Sequence, residues 1–539
     1  MLVLLHVRYY PGKPRQTSGG FPILSSQVLR LGEFAATLAL GQDNAFGQPL
    51  ESQFRSCLLA MWLCKEAGFD AQTRRDVYWV ALLRYLGCTG HAHEVATLFG
   101  DEIGIRAQTL VHDAANPQEV IGDVITFATA GRGPEEREQI IKMIQEGAHA
   151  WAVHNFTSGC EVSDMLLGRL DFGPGVREAL KFTFERWNGN GFPAHAKGEA
   201  IPLPMRIVHL THDMEAICRL KSPAAALQAA ADRRDRTYDP ALADLFLTHG
   251  AAWLEQLSKA EPWNDVLALE PAPHTVLEGD ALDNALLIAA DFIDMKSPYM
   301  PGHSRRVAEL CRDAARELRL PEEDATAPWR AALVHDFGTT AVSNSIWDKP
   351  GTLTRAERDR VELHPMLTEQ MLRRSPALDA LNRSAAAHHE KVDGSGYHKR
   401  VSAAAIDPNA GILTAADIYA GLTADRADRA RFSDADAAAE LRRLIDAGVL
   451  DKRTANAVLV AAGHSESRGR RAANAGGLST REVDVLRLAA KGLSTKDIAE
   501  KLFISPKTAD HHIQHVYTKI GVSTRAAAAL WAMQNSIVN

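Results

Sequence analysis

One long stretch of this chain is written twice. "FERWNGNGFPAHAKGEAIPLPMRIVHLTHDMEAI" (184–217) shares its layout with "HEKVDGSGYHKRVSAAAIDPNAGILTAADIYAGL" (389–422) at a constant offset of 205, and "ALLRYLG" (81–87) lines up with "ALVHDFG" (332–338) at 251. A repeat of this length means one structural unit built twice, the first copy carrying extra residues in between. The unit is helical: in "SRRVAELCRDAARELRL", Val307, Leu310, Cys311, Ala314, Ala315 and Leu318 recur at spacings of three and four. Alternating strand patterns are nearly absent. A chain of 539 residues is too long for one core and divides at Pro/Gly-rich punctuation. Residues 1–21 read as a disordered lead-in, 22–262 and 275–463 as the two copies, 464–477 as a linker and 478–539 as a compact tail. The stretch 270–280 also reads as a linker.

The copies differ in chemistry. The second places His303 in "PGHSRRV", His335 and Asp336 in "LVHDFG", His364 in "VELHPML", His388 and His389 in "AAHHEK", and Asp417 in "TAADIYAG". The first has Ser52, Arg84 with Tyr85, roughly Ser158, Thr183 with Phe184, and His212 at the matching places. Five histidines and two carboxylates can supply two metal ions, and a metal pair about 3.5–4 Å apart suits displacement at phosphorus. The competing reading is histidines scattered through core and surface. The fixed order of "HD", "HH" and a glycine turn argues against it. The tract "GHAHEV", with His91, His93 and Glu94, reads as a solvated loop rather than a further metal site.

Composition narrows the classes. A formal net charge of -7 argues against a chain that coats nucleic acid or anionic membrane along its whole length. Six cysteines without a CxxC spacing indicate neither a zinc knuckle nor a dithiol motif. No stretch approaches the roughly 18 apolar residues of a membrane span, so a soluble cytoplasmic protein is expected.

From about residue 285 to 463 the chain resembles an HD-GYP domain, through "YMPGHSRRVAEL", "ALVHDFG", "WDKPGTLT", "HPMLTEQML", "HHEKVDGSGYH", "AAD" and "LTADRADRA". That family is an all-helical branch of the HD phosphohydrolases that hydrolyses cyclic di-GMP at a two- or three-metal centre. The resemblance implies His303, His335, Asp336, His364, His388, His389 and Asp417 as ligands, with Asp336 as bridge and catalytic residue. It implies Arg426 and Arg429 near substrate phosphates, a role suited to their forked donors; two solvated arginines at a helix end is the alternative. The expected cofactors are two divalent ions, iron or manganese, with zinc also suited to a histidine-rich site. Two departures bear on catalysis and a third on the number of metals, which is expected to be two rather than three. The family's lysine three residues after the HD pair is Thr339, the signature proline is His398, which should relax the turn, and Tyr299 stands where three-metal members have a glutamate. The first copy resembles the same family with its ligands removed, and its expected uses are dimerisation, sensing or packing.

The tail resembles the LuxR-type (GerE-like) helix-turn-helix through "LSTREVDVLRLAAKGLSTKDIA", "ISPKTADHHIQHVYTKIGV" and "TRAAAAL". Ser479 with Glu482 and Ser494 with Asp497 form capping-box patterns, and Thr508 reads as the cap of the next helix. Residues 478–539 hold eight Lys/Arg against five Asp/Glu, a local excess of positive charge where DNA phosphate needs it. The resemblance sends the helix from about 506 to 520 into the major groove, with Lys507, Thr508, His511 and His512 toward bases or phosphates and Lys519 on the backbone. The expected fold is all-α: two HD-type helical domains in tandem plus a four-helix LuxR-type module. The expected function is a homodimeric transcription regulator of double-stranded DNA whose HD-GYP half binds a cyclic dinucleotide and hydrolyses it slowly or not at all. An active metal-dependent phosphodiesterase with an accessory DNA-binding tail is the second reading. A metal site serving stability alone is the third.

Overall fold

The computed structural model describes residues 28–464 and 478–538. Residues 1–21 and all but the first residue of the 464–477 linker therefore lie outside the described residues. Among the described residues the regular elements are helices, apart from one antiparallel pairing of Leu29–Arg30 with Val276–Leu277 and two isolated bridges.

The repeat proves to be structural. Helices Leu31–Ala45, Ser52–Glu66 and Ala71–Leu83 lead into a 3-10 turn, Leu86–His91, as Gly279–Asp294, His303–Glu317 and Glu322–Val334 lead into Phe337–Ala341. Equivalent contacts hold equivalent places. Buried Asp43 accepts from the Gln53 backbone N–H at 3.1 Å, and buried Asp294 from that of Ser304 at 2.9 Å. Gly87 packs so tightly that a Cβ would lie 1.8 Å from the Gly159 carbonyl oxygen, and one on Gly338 would lie 1.9 Å from that of His364. Gly159, not Ser158, is thus the counterpart of His364. The insertion ahead of it continues into one long helix, Pro134–Leu167, so no motif marks the register there.

The copies interlock. Helix Leu31–Ala45 of the first packs on the Phe337–Ala341 turn of the second, and Gly279–Asp294 of the second packs on Leu86–His91 of the first. Gly41 permits the first approach, since a Cβ there would meet the Phe337 ring at 2.9 Å. Each copy's opening helix thereby braces the other's turn, and one apolar core runs through both. The stretch 270–280 is not a free linker. Val276–Leu277 pairs with the start of the first copy, and buried Glu270 binds the Arg30 guanidinium and the Gly32 N–H. The tract around His91 is no solvated loop either: His91 is buried, and His93 bonds Asp348 of the second copy at 2.7 Å.

The tail forms four helices, Thr480–Ala490, Thr495–Lys501, Pro506–Ile520 and Arg525–Gln534. Both capping boxes form. The third helix is capped by Ser505, whose hydroxyl accepts from the Thr508 N–H at 3.1 Å, so Thr508 lies inside the first turn rather than at the cap. Pro506 accounts for this: its preset φ and missing N–H suit the first helical position, which sets the cap at Ser505, three residues before Thr508. The last helix docks against Pro134–Leu167, where Glu161 accepts from the Thr524 hydroxyl at 2.7 Å.

Candidate functional site

The second copy brings its histidines and carboxylates to one buried point. His303 opens a helix behind Gly302, which is in the left-handed conformation (φ 77°) that glycine adopts without strain. His335 and Asp336 sit where Glu322–Val334 gives way to the 3-10 turn, His364 begins helix His364–Leu372, and Asp417 lies within Pro408–Thr423. His388 and His389 follow helix Pro376–Ala385 and enter the glycine turn. That turn is held by Glu390, which accepts from the N–H groups of Lys399 (2.7 Å), Arg400 (3.2 Å) and Val401 (3.0 Å). Loss of the signature proline does not loosen it. Tyr397 N–H still bonds the His389 carbonyl at 3.2 Å, and the His398 ring reaches Glu369 at 3.2 Å.

Asp336 divides the cluster. Its Oδ1 lies 3.4 Å from Nε2 of both His364 and His388, while its Oδ2 lies 3.4 Å from His335 and 3.9 Å from His303. His303 Nε2 is in turn 3.0 Å from Asp417 Oδ1, and His389 Nδ1 is 3.9 Å from Asp417 Oδ2. One carboxylate thus faces two ligand sets. His335, His364 and His388 each donate Nδ1–H to the carbonyl three residues upstream, of Ala332 (2.7 Å), Val361 (2.6 Å) and Ala385 (2.7 Å). That bond leaves Nε2 as a bare lone pair aimed at the centre, the tautomer a metal ligand needs.

These residues fit cations. The Nε2 atoms of His364 and His388 stand 3.0 Å apart, two lone pairs with no proton between them. The Nε2 atom of His335 is buried without a hydrogen-bond partner among the described residues. Burial lowers the His303, His388 and His389 imidazoles, which favours their neutral, metal-ligating form. Burial alone would raise the carboxyls, but the surrounding imidazoles, led by His335 at Asp336 and by His303 at Asp417, hold both well below the usual range. Neutral imidazoles and ionised carboxylates form a donor set for divalent metal.

The surroundings are less accommodating. Thr339, at the family's lysine position, is buried and its hydroxyl bonds the Asp336 carbonyl at 2.7 Å. Lys349 is paired with Glu357 at 2.7 Å and so does not supply the missing cation. Arg429 spends its guanidinium on backbone carbonyls, including Leu422 (3.3 Å) and Gly421 (2.5 Å). Arg426 reaches Met300 Sδ, beside the loop that carries His303. Sequence reading missed the supporting shell. Tyr397 leans over His389 with centroids 4.6 Å apart, and Trp347 stands edge-on to His364 at 5.7 Å. It also missed buried Lys296, which bonds the Val342 carbonyl at 2.5 Å and pairs with Glu102 of the first copy at 3.3 Å. No periodicity signals a partner 194 residues away.

In the tail, Lys507, Thr508 and His511 are exposed on helix Pro506–Ile520 and His512 is half-buried, while Ala509, Ile513 and Val516 face its core. Lys519 is tied to Glu482 at 2.7 Å.

A tandem helical fold with a histidine–aspartate cage and a helix-turn-helix defines a class, and comparison with known proteins agrees. The HD domain family model matches residues 151–242 and 288–453, and that of the bacterial regulatory proteins of the luxR family matches 477–532. The 3'3'-cGAMP-specific phosphodiesterase 3 of Vibrio cholerae is 32% identical over 415 residues, covering 76% of this chain and 89% of that protein. A cyclic di-GMP phosphodiesterase of Pseudomonas aeruginosa is 33% identical over 149 residues, 28% of this chain and 35% of that protein. The crystal structure of a cyclic GMP-AMP-specific phosphodiesterase of Vibrio cholerae superposes with a TM-score of 0.56 at 28% identity, covering 81% of this chain and 98% of that one. The chain belongs to the HD-GYP branch of the HD-domain proteins and carries a C-terminal LuxR-type helix-turn-helix domain.

Proposed function

We propose that this protein is a transcription regulator whose second HD-GYP copy reads a cyclic dinucleotide and passes its state to the DNA-binding tail. The observation that carries the reading is the ion pair between Lys491 and Asp425, at 3.0 Å. Asp425 directly precedes Arg426, and Lys491 closes the first helix of the DNA-binding domain. Pro298, in the loop leading to His303, touches the same spot, lying 2.9 Å from where a Cβ on Gly492 would sit. Two loops bordering the histidine cage therefore press on one corner of the tail. A nucleotide that prefers one arrangement of these loops shifts the tail by that preference, and by no more.

In this reading His303, His335, His364, His388, His389 and Asp417, with Asp336 facing both ligand sets, would hold two divalent ions, which would supply positive charge and Lewis acidity toward a phosphodiester. The chain's own contribution is to fix the imidazole tautomers, to exclude water with Trp347 and Tyr397, and to offer Arg426 to a phosphate oxygen. Thr339, locked to the backbone, adds no charge there, so turnover is slow. The relatives' substrates make 3'3'-cGAMP and cyclic di-GMP the ligands to try. Lys507, Thr508, His511 and His512 read the major groove as a homodimer on two half-sites, with Lys519 on the backbone.

The test is operator affinity by fluorescence anisotropy with and without each nucleotide, alongside chromatography of products. A nucleotide-dependent affinity change supports the regulator. Fast, metal-dependent product formation with unchanged DNA affinity supports the second reading, an active phosphodiesterase with an accessory tail, which the complete cage and the 89% coverage of a phosphodiesterase favour.

A further inference from the structure

The first copy's former metal site holds two buried guanidiniums that the proposed function does not use. Arg84 takes the place of His335, and Arg186 lies in the turn that matches the one after His389. They are 4% and 7% exposed. Arg84 donates Nη1 to the Val208 carbonyl at a long 3.4 Å, and Arg186 donates Nη1 to those of Thr183 (3.3 Å) and Glu185 (2.7 Å). Both Nε atoms are buried without a partner. Neither side chain forms a salt bridge among the described residues. Asp213, the carboxylate within Coulombic reach of both, is already engaged by His212 (3.1 Å) and by the Tyr238 hydroxyl (3.0 Å).

Burying an unpaired charge is expensive, and burying two of one sign beside each other more so. His212 and His209 give no relief, because burial and these arginines keep both rings neutral. The cluster thus has one carboxylate for two guanidiniums and two N–H donors with nothing to bond. Tyr85 lies under Arg84 at 4.9 Å, and Phe184 stands 6.3 Å from Tyr85, so an aromatic wall flanks the charges.

We propose that the first copy is a metal-independent oxyanion site in which Arg84 and Arg186 bind a phosphate group, free or as a phosphomonoester. Where the second copy recruits metal cations, the first carries its cations on the chain. Guanidinium forks match tetrahedral oxyanions, and the donors left idle here are those a phosphate would fill.

The experiment uses the full chain with Asp336→Ala in EDTA, which removes the second copy's metal. Thermal unfolding is followed with inorganic phosphate, with guanosine 5'-monophosphate, and with chloride at matched ionic strength. Phosphate is expected to raise Tm by several degrees where chloride does not, since a ligand of the native state stabilises by mass action. Adding Arg84→Met or Arg186→Met should weaken apparent phosphate affinity at least tenfold, and Arg186→Lys, which keeps the charge and guards against a simple folding defect, should retain part of it. A nucleotide binding more tightly than free phosphate assigns the site to phosphomonoesters, and equal affinity assigns it to the free ion; both support the proposal. No phosphate-specific shift in the Asp336→Ala background overturns it. So does a shift that survives both methionine substitutions, which would place the anion elsewhere, for instance on the basic tail.

Discussion

Lys491 of the helix-turn-helix tail meets Asp425 at 3.0 Å, one residue from Arg426 at the rim of the histidine cage. Both side chains are partly exposed, so the pair itself contributes only about 0–1 kcal/mol. Its importance is positional. Asp425 also accepts from the Arg431 N–H at 3.1 Å, which couples the outward-facing carboxylate to the folded loop that presents Arg426.

Lys491→Ala should therefore leave global stability nearly unchanged while reducing the difference in operator affinity between nucleotide-bound and free protein. Anisotropy titrations at fixed salt measure that ratio. A ratio identical to wild type would sink the coupling route.

Asp336→Ala removes the one carboxylate among the described residues that faces both the His364–His388 and the His303–His335 pairs. Bound metal, measured by plasma mass spectrometry, is expected to fall from two ions per chain to one or fewer. His389→Ala, at the edge of the cage and 3.9 Å from Asp417, should cost less metal than Asp336→Ala.

Thr339→Lys places an ammonium where the family has one. Hydrolysis of 3'3'-cGAMP or cyclic di-GMP should rise at least tenfold, about 1.4 kcal/mol in the barrier. Because Thr339 is buried, far-UV circular dichroism must first show that the variant folds. A folded variant without added turnover would locate the catalytic deficit elsewhere.

Two first-copy histidines set an acid limit. Burial, reinforced by Arg106 at His91 and by Arg84 at His212, lowers these rings to about 3 and about 4 respectively. The unfolded chain takes up protons from about pH 6.5 downward and the folded chain does not, so stability falls as pH drops from 6.5 toward 4. Each histidine contributes a slope of up to about 1.4 kcal/mol per pH unit in that window. Denaturant melts of the Asp336→Ala protein between pH 7 and 4.5 measure it, and His91→Gln should flatten the curve if the fold tolerates it.

On DNA, Lys507→Ala should lower the slope of log affinity against log salt by about one, the signature of one lost phosphate contact. Lys519→Ala should lower it less, because Glu482 already neutralises that ammonium at 2.7 Å.

Local pattern made much of this legible. Helical periodicity, the capping boxes at Ser479 and Ser494, and the order of "HD", "HH" and the glycine turn all act over a few residues, where spacing and geometry are nearly the same thing. The repeat offset of 251 placed Gly87 against Gly338, while the matching roles of Asp43 and Asp294 emerged only from the structure. The offsets failed at His364, whose counterpart follows an insertion absorbed by a continuous helix, and the capping pattern failed at Thr508, where Pro506 sets the cap at Ser505.

The sequence by itself determined the helical class, the duplication, which copy carries the metal-type donors and where the helix-turn-helix domain lies. Tertiary structure alone decided that Asp336 faces two histidine sets, that Thr339 is locked to backbone, that Glu102 supports Lys296 from the other copy, and that Asp425 holds Lys491. It also decided that Arg84 and Arg186 are buried together with no ion pair among the described residues. The reason is distance along the chain: these relationships join residues tens to hundreds of positions apart, and only the closing of a shared core brings such groups within a few ångströms.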